Sequence, residues 1–385
     1  MEPIGIGIVG AGFAANQHAA AYQAVTRVPV NLVGVASRTP ERAEAFARRH
    51  GFAFATTELA ALLARPDVHL VDVCAPNFAH EEILVAAARA GKHVICEKPL
   101  TAFFGDPTDP ARMRDEARAS VQRIHEAVQQ AGVHFFYAEN WIYAPAIQKA
   151  MRLCEAAGGT LFDIRAEEAH SGSHSPYARQ WRTSGGGSLL RLGSHPLAAA
   201  LYLKRREGLR RSGTPIRVAS VTCEVANVTR IPSFTQEPTR WVASGWQDVE
   251  DWATLLLEFT DGARASIAAS DIVLGGIRNR MELYLSNGRI DCNLNPNNTC
   301  VAYAPSPEVF GDEYIAEKLD TKAGWSFPSI NEDWFQGYPQ EIQEFVECVA
   351  TGREPLSDMS LAADVVEVTY AAYQSAREGR RVLLA

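Results

Sequence analysis

Two side chains in this sequence of 385 residues stand where proton transfer is chemically possible. Lys98 closes the segment Cys96-Glu97-Lys98-Pro99, and His195 follows the glycine run Gly185-Gly186-Gly187. A lysine amine becomes a base when burial or a neighbouring cation lowers its pKa. Histidine exchanges protons near neutrality without such help. Taken alone, each has a plainer reading. A lone lysine is a solvated surface charge, and a histidine among Leu189, Leu190, Leu192 and Leu197 is a satisfied core residue. A third segment raises both: the apolar run Ile4, Ile6, Ile8, Val9 leads directly into Gly10-Ala11-Gly12-Phe13-Ala14-Ala15.

That apolar run reads as a buried parallel strand. Gly10 permits a tight turn, Gly12 lets a pyrophosphate approach the backbone, and the small Ala15 lets the following helix pack against the strand. The helix N-terminus offers unpaired N–H groups and the positive end of its dipole to phosphates. A second strand over 31–36 lies at the spacing a dinucleotide turn requires. It ends in Ser37-Arg38, without the Asp or Glu that would hold the ribose 2′-hydroxyl of NAD. Arg38 either pairs with the 2′-phosphate of NADP or stacks on adenine and tolerates both cofactors. NAD or NADP is therefore the expected cofactor, and no spaced ligand set points to a metal.

The elements that must position these groups alternate through the first part of the chain. Helices are expected over 40–50, 58–63, 80–90 and 116–131, and strands over 70–75, 92–96 and 134–138, with a polar loop at 104–110. This is the α/β order of a doubly wound Rossmann domain over 1–143. After Pro145 strands run consecutively, over 160–169, 216–226, 252–259, 263–270 and 281–285, with Asp261-Gly262 and Asn287-Gly288 as hairpin turns. They imply an α+β domain over 144–385 with an open, mainly antiparallel sheet. Helices over 339–350 and 361–377 close the chain, and they are candidates to pack back on the first domain.

Composition narrows the class. The hydrophobic share of 47% fits a globular protein, and the net charge of −8 argues against nucleic acid and anionic membranes as partners. No apolar run approaches a membrane span, and the N-terminus enters its first strand without a secretion signal. The seven scattered cysteines read as reduced thiols in a cytoplasmic protein. Trp241, Trp246, Trp325 and Trp334 read as core or interface packing rather than as sugar platforms.

Three segments in order, Asp72-Val-Cys-Ala-Pro76-Asn77-Phe-Ala-His80, Ala90-Gly-Lys-His-Val-Ile-Cys-Glu97-Lys98-Pro99 and Gly185-Gly-Gly187-Ser-Leu-Leu-Arg-Leu-Gly193-Ser-His195, resemble the glucose–fructose oxidoreductase / inositol dehydrogenase / MocA (Gfo/Idh/MocA) family. The resemblance covers nearly the whole chain. It implies a nicotinamide-dependent enzyme acting on a carbohydrate, as a homodimer or homotetramer built on the open sheet. It places Gly10, Gly12, Phe13 and Ala14 at the pyrophosphate and Ser37 and Arg38 at the adenosine ribose. It places Pro76, Asn77 and His80 beside the nicotinamide half, and Glu97 near the nicotinamide ribose. Lys98 takes the position of the family's proton-relaying lysine, which also lies against the cofactor, and His195 that of its acid–base histidine. Asn140 and Tyr143 match the segment facing the sugar.

One position departs from the pattern. Many family dehydrogenases carry an aspartate four residues before the histidine, where this chain has Arg191. An arginine stays protonated and cannot act as a carboxylate. His170, His174 and Tyr177 are candidates to contribute instead. Arg179, Arg182 and Arg191 would suit an anionic substrate if two of them converged. Three readings stay open: a dehydrogenase for a sugar, cyclitol or sugar acid; a redox-neutral glycosidase that oxidises, eliminates, hydrates and reduces, acting on a sulfosugar or uronide; and a non-enzymatic nucleotide-sensing protein.

Overall fold

The computed structural model describes residues 2–296, 299–319 and 321–384. The chain falls into two compact units. The first takes the chain from its start to Ile142, together with Trp181–Gly185 and Tyr338–Tyr370, and the second takes Tyr143–Gln180, Gly186–Gly337 and the segment from Ala371 onward. The change from one unit to the other at Ile142/Tyr143 lies beside the boundary expected at 143, but the units are not continuous in sequence.

In the first unit, strands β1 (Ile4–Val9), β2 (Val30–Ala36), β3 (Phe54–Thr56), β4 (Leu70–Val73), β5 (His93–Glu97) and β6 (Phe135–Ala138) form one sheet in the order β3-β2-β1-β4-β5-β6. Every pairing in it is parallel. β1 and β4 are buried at every residue, as strands covered on both faces must be. Because β1, β4 and β5 point the same way, the turns after Val9, Val73 and Glu97 emerge at one carboxyl edge. That edge, beside the switch in strand order, is where open α/β sheets bind ligands.

Helix Phe13–Gln23 packs on helix Tyr338–Thr351, and helix His80–Arg89 on helix Pro110–Ala131. Phe345 of helix Tyr338–Thr351 reaches Phe136 of β6, ring centroids 5.1 Å apart. Ile342, Phe345 and Val346 on that helix are buried, and each such side chain contributes about 1.5–3 kcal/mol. Helix Pro110–Ala131 starts earlier than the expected 116 and takes in part of the expected 104–110 loop. Asp109 caps it by accepting from the Arg112 N–H at 3.1 Å, and Pro110 stands at its first position, where no N–H is needed.

The second unit holds β7 (Leu161–Ala169), β8 (Val218–Ala226), β9 (Trp252–Phe259), β10 (Arg264–Ser270), β11 (Arg278–Leu285) and β12 (Gly288–Asn293), with β13 (Ala302–Ala304), β14 (Gly324–Ser326) and β15 (Val382–Leu383). Seven of these form a sheet in the order β12-β11-β7-β10-β9-β8-β15. Only β7 and β10 pair in parallel, at the centre; the other pairings are antiparallel. β13 and β14 make a separate pair. Helix Ser194–Ser212 packs on β7 and β10. Among the described residues, no helix is long and apolar enough to cross a membrane.

Candidate functional site

The glycine turn leaves β1 with Gly10 in the left-handed region at φ 119°, and its N–H donates to the Ala36 carbonyl at 2.9 Å. A Cβ on Gly10 would lie 2.5 Å from the Cys74 carbonyl oxygen, so any other residue would collide with the loop after β4. At Gly12, the N-cap of helix Phe13–Gln23, a Cβ would meet nothing within 4 Å. The space above this helix N-terminus is open and no side chain caps it. A phosphate fits there with N–H groups directed at it. Ser37 and the exposed Arg38 follow β2 directly, and the Ser37 N–H is taken by the Thr56 carbonyl.

Pro76 and Asn77 lie half-buried after β4, and Asn77 Nδ2 donates to the Ser184 carbonyl at 2.9 Å. His80 does not line this edge. It is fully buried, with Nδ1 2.9 Å from the Pro99 carbonyl and Nε2 2.9 Å from the Ala75 carbonyl. Burial pushes its pKa down. Through these two contacts His80 braces the loops that carry Pro76 and Lys98. Lys98 is half-buried at the end of β5, its N–H donates to Glu97 Oε2 at 2.8 Å, and the Lys98–Pro99 bond is cis.

Beneath the edge lies a polar cluster that the sequence reading did not identify. His18 Nδ1 is 2.9 Å from Asp72 Oδ2, and Tyr22 donates to the same oxygen at 3.0 Å. Burial alone would lower the His18 pKa, but Asp72 and Cys74 raise it well above the ordinary imidazole value. His18, Asp72 and Cys74 group closely enough to hold a metal ion, yet they are already hydrogen-bonded to one another, and burial pushes the Cys74 thiol up, away from the thiolate a metal would need. A charge inside the apolar strand Leu70–Val73 was the available signal for this cluster.

In the second unit, His195 stands in the first turn of helix Ser194–Ser212 and is buried. The glycine run before it closes on Glu250. Gly187 N–H donates to Glu250 Oε1 at 3.0 Å, Leu189 N–H does the same, and Tyr373 donates at 2.7 Å. A Cβ on Gly187 would lie 2.0 Å from the Glu250 carbonyl oxygen, so the glycine is needed for the approach. Burial pushes the Glu250 pKa up to about 7 despite these donors. A carboxyl with a raised folded pKa binds extra protons in the native state, so stability is lost as pH rises from its unfolded value through about 7. Glu250→Gln is expected to gain on the wild type by roughly 1–3 kcal/mol between pH 5 and pH 8 in chemical denaturation. A difference that stays constant with pH would contradict this.

Arg191 is committed within the protein. It donates to Asp271, whose side chain is fully buried, and its guanidinium lies 4.8 Å from the centroid of the Trp246 ring. Burial raises the Asp271 pKa, and Arg191 opposes the rise. The pairing places the Asp271 carboxylate beside the position where the family pattern has an aspartate. Lys318 lies close enough to act on Asp271, and it is held at φ 62°, the one non-glycine residue with positive φ among those described. Neither residue was expected from sequence, although Asp271 follows the apolar β10 directly.

The remaining candidates differ in burial. His170 is buried at the end of β7, its N–H donating to the Ser270 carbonyl at 3.1 Å. His174 is exposed and sits 2.7 Å from Glu317. Tyr177 is half-buried, and Arg179 and Arg182 are exposed, Arg182 belonging to the first unit. Asn140 and Tyr143 are buried in the short helix Asn140–Tyr143.

Comparison with known proteins accords with this geometry. Residues 4–128 match the family description "Oxidoreductase family, NAD-binding Rossmann fold", and residues 147–291 match "GFO/IDH/MocA C-terminal domain". Levoglucosan dehydrogenase of Pseudarthrobacter phenanthrenivorans is 33% identical over 216 residues, which is 53% of this chain and 52% of that enzyme, so the match spans about half of its length. Myo-inositol 2-dehydrogenase of Thermotoga maritima is 24% identical over 98% of each chain. The crystal structure of GenD2 from gentamicin A biosynthesis, in complex with NAD, superposes with a TM-score of 0.83 at 27% identity, covering 100% of this chain and 97% of that one. The two family descriptions together cover more than half of the chain, and it belongs to the Gfo/Idh/MocA family of NAD-binding oxidoreductases.

Proposed function

We propose that this protein transfers a hydride between a nicotinamide cofactor and a secondary hydroxyl of a sugar, cyclitol or sugar acid. One observation carries the reading: the uncapped glycine turn after β1 and Lys98 after β5 emerge at the same carboxyl edge of one parallel sheet. A bound nicotinamide would supply the hydride acceptor or donor. Gly10, Gly12, Phe13 and Ala14 would hold its pyrophosphate, Ser37 and Arg38 its adenosine half, and Pro76, Asn77 and Glu97 its nicotinamide half. Arg38 suits the 2′-phosphate of NADP or a stacked adenine, so both cofactors belong in the test.

Lys98 would take the proton of the reacting hydroxyl and return it in the reverse direction. His195 is assigned the second acid–base role, with Asn140, Tyr143, His170, His174 and Tyr177 as candidates for sugar hydroxyls and Arg179 and Arg182 for any anionic group. The relatives' carbohydrate substrates support this class. The outer face of the second sheet presents Leu256 and Tyr284, alternating with buried Leu255, Leu257 and Leu283, and it is the surface on which a homodimer or homotetramer would form. The seven unpaired cysteines accord with a reducing compartment, the cytoplasm.

The redox-neutral glycosidase is the second reading, suggested by the altered position 191 and by the arginines suited to an anionic glycoside, of which Arg191 is engaged with Asp271. The test is mass spectrometry of cofactor released from purified protein, beside a panel of free sugars, cyclitols and aryl glycosides followed at the reduced-nicotinamide band. Absorbance growing with a free sugar or cyclitol supports the dehydrogenase. Aglycone release from tightly held cofactor without net absorbance change establishes the glycosidase. Cofactor binding with no turnover of any compound favours the sensing protein.

A further inference from the structure

We propose that His18, held by Asp72, is a positioning residue for Glu97 and thereby fixes the cofactor-facing end of β5. This rests on the dinucleotide reading of the first unit. Glu97 is the one carboxylate of the buried cluster that reaches the surface, with 11% of its side chain exposed. Its two oxygens are held from opposite directions. Oε2 accepts the Lys98 N–H at 2.8 Å, and Oε1 lies 3.2 Å from His18 Nε2, an ion-pair contact rather than an aligned hydrogen bond. His18 is in turn fixed through Nδ1 by Asp72, and Asp72 by Tyr22.

His18 belongs to the helix that begins at the glycine turn, Asp72 to β4 and Glu97 to β5. One imidazole therefore ties the phosphate end of the cofactor region to the strand end that carries Lys98. The other groups facing His18 are Cys74, with Sγ 3.6 Å from Nδ1, Glu341, with Oε1 4.0 Å from Nε2, and the Tyr338 ring at 6.1 Å. Glu341 is fully buried, both its carboxyl oxygens lack a hydrogen-bond partner, and burial holds it towards the neutral form. Asp72, His18 and Glu97 thus form a continuous chain of polar contacts from β4 to the end of β5.

The test is a double-mutant cycle on the full-length protein, with affinity for NADH or NADPH (whichever the wild type retains) read by fluorescence and folding checked by thermal unfolding. His18→Gln is expected to weaken cofactor binding about tenfold. In a Glu97→Gln background the same substitution is expected to cost almost nothing further, because the group it positions is already altered. An undiminished loss in that background would overturn the proposal and make His18 a purely structural residue. Glu97→Gln that binds cofactor as the wild type does would also overturn it, while leaving the dehydrogenase reading standing. A wild type that binds neither cofactor would sink that reading itself. Should His18→Gln fail to fold, Asp72→Asn releases the same imidazole, and the same non-additivity with Glu97→Gln is expected.

Discussion

Replacing Lys98 with methionine is expected to lower kcat by about 10³-fold while leaving the fold unchanged. Methionine keeps most of the unbranched stem that packs at the half-buried end of β5. The Lys98 N–H bond to Glu97 belongs to the backbone and survives the change. What is lost is a nitrogen that can both take and release a proton. Lys98→Arg separates proton transfer from charge, because a guanidinium keeps the cation but does not deprotonate. Arginine is therefore expected to be nearly as inactive as methionine. Substantial turnover by Lys98→Arg would show that a fixed positive charge suffices, and the proton relay would have to be placed on another residue. Steady-state kinetics with the substrate found in the sugar panel, alongside thermal unfolding of each variant, decides the matter.

Much of the first unit was legible because its signals are local. The alternation of apolar runs with helices, the glycine turn and the place of Lys98 after a buried strand all depend on neighbours in sequence. β3, three residues long at the sheet edge, carries too short a pattern to announce itself. The start of helix Pro110–Ala131 was hidden because Asp109-Pro110 also reads as loop. The site groups that went unrecognised share a different cause. Asp72 with His18, Glu250 with Gly187 and Asp271 with Arg191 are partners distant in sequence. A sequence displays the charge of each but not which buried atom will meet it. The protein partners of His80 and Arg191 were hidden for the same reason, since the Pro99 carbonyl and Asp271 lie far from them in sequence.

Arg191→Asp, which would install the aspartate of the family pattern, is expected to destabilise this protein by about 3–5 kcal/mol rather than improve it. The side chain of Asp271 is fully buried and that of Arg191 only 11% exposed, so the pair lies outside the regime in which exposed ion pairs contribute little. Removing the guanidinium strands a buried carboxylate and takes away the cation stacked on Trp246. A second carboxylate at 191 would face the first, and at neutral pH one of them would have to take up a proton to remain inside. Lys318, itself half-buried and with its pKa lowered by burial, is poorly placed to compensate both. Adding Asp271→Asn to Arg191→Asp removes the buried repulsion, and it is expected to recover a large part of the loss in chemical denaturation. A cost below about 1 kcal/mol for Arg191→Asp alone would mean that the pair behaves as a surface contact. A large cost that Asp271→Asn does not relieve would assign the loss to packing against Trp246 rather than to charge. If the rescue occurs, Arg191 and Asp271 act as one unit, and the arginine is held inside this chain by the carboxylate that follows β10.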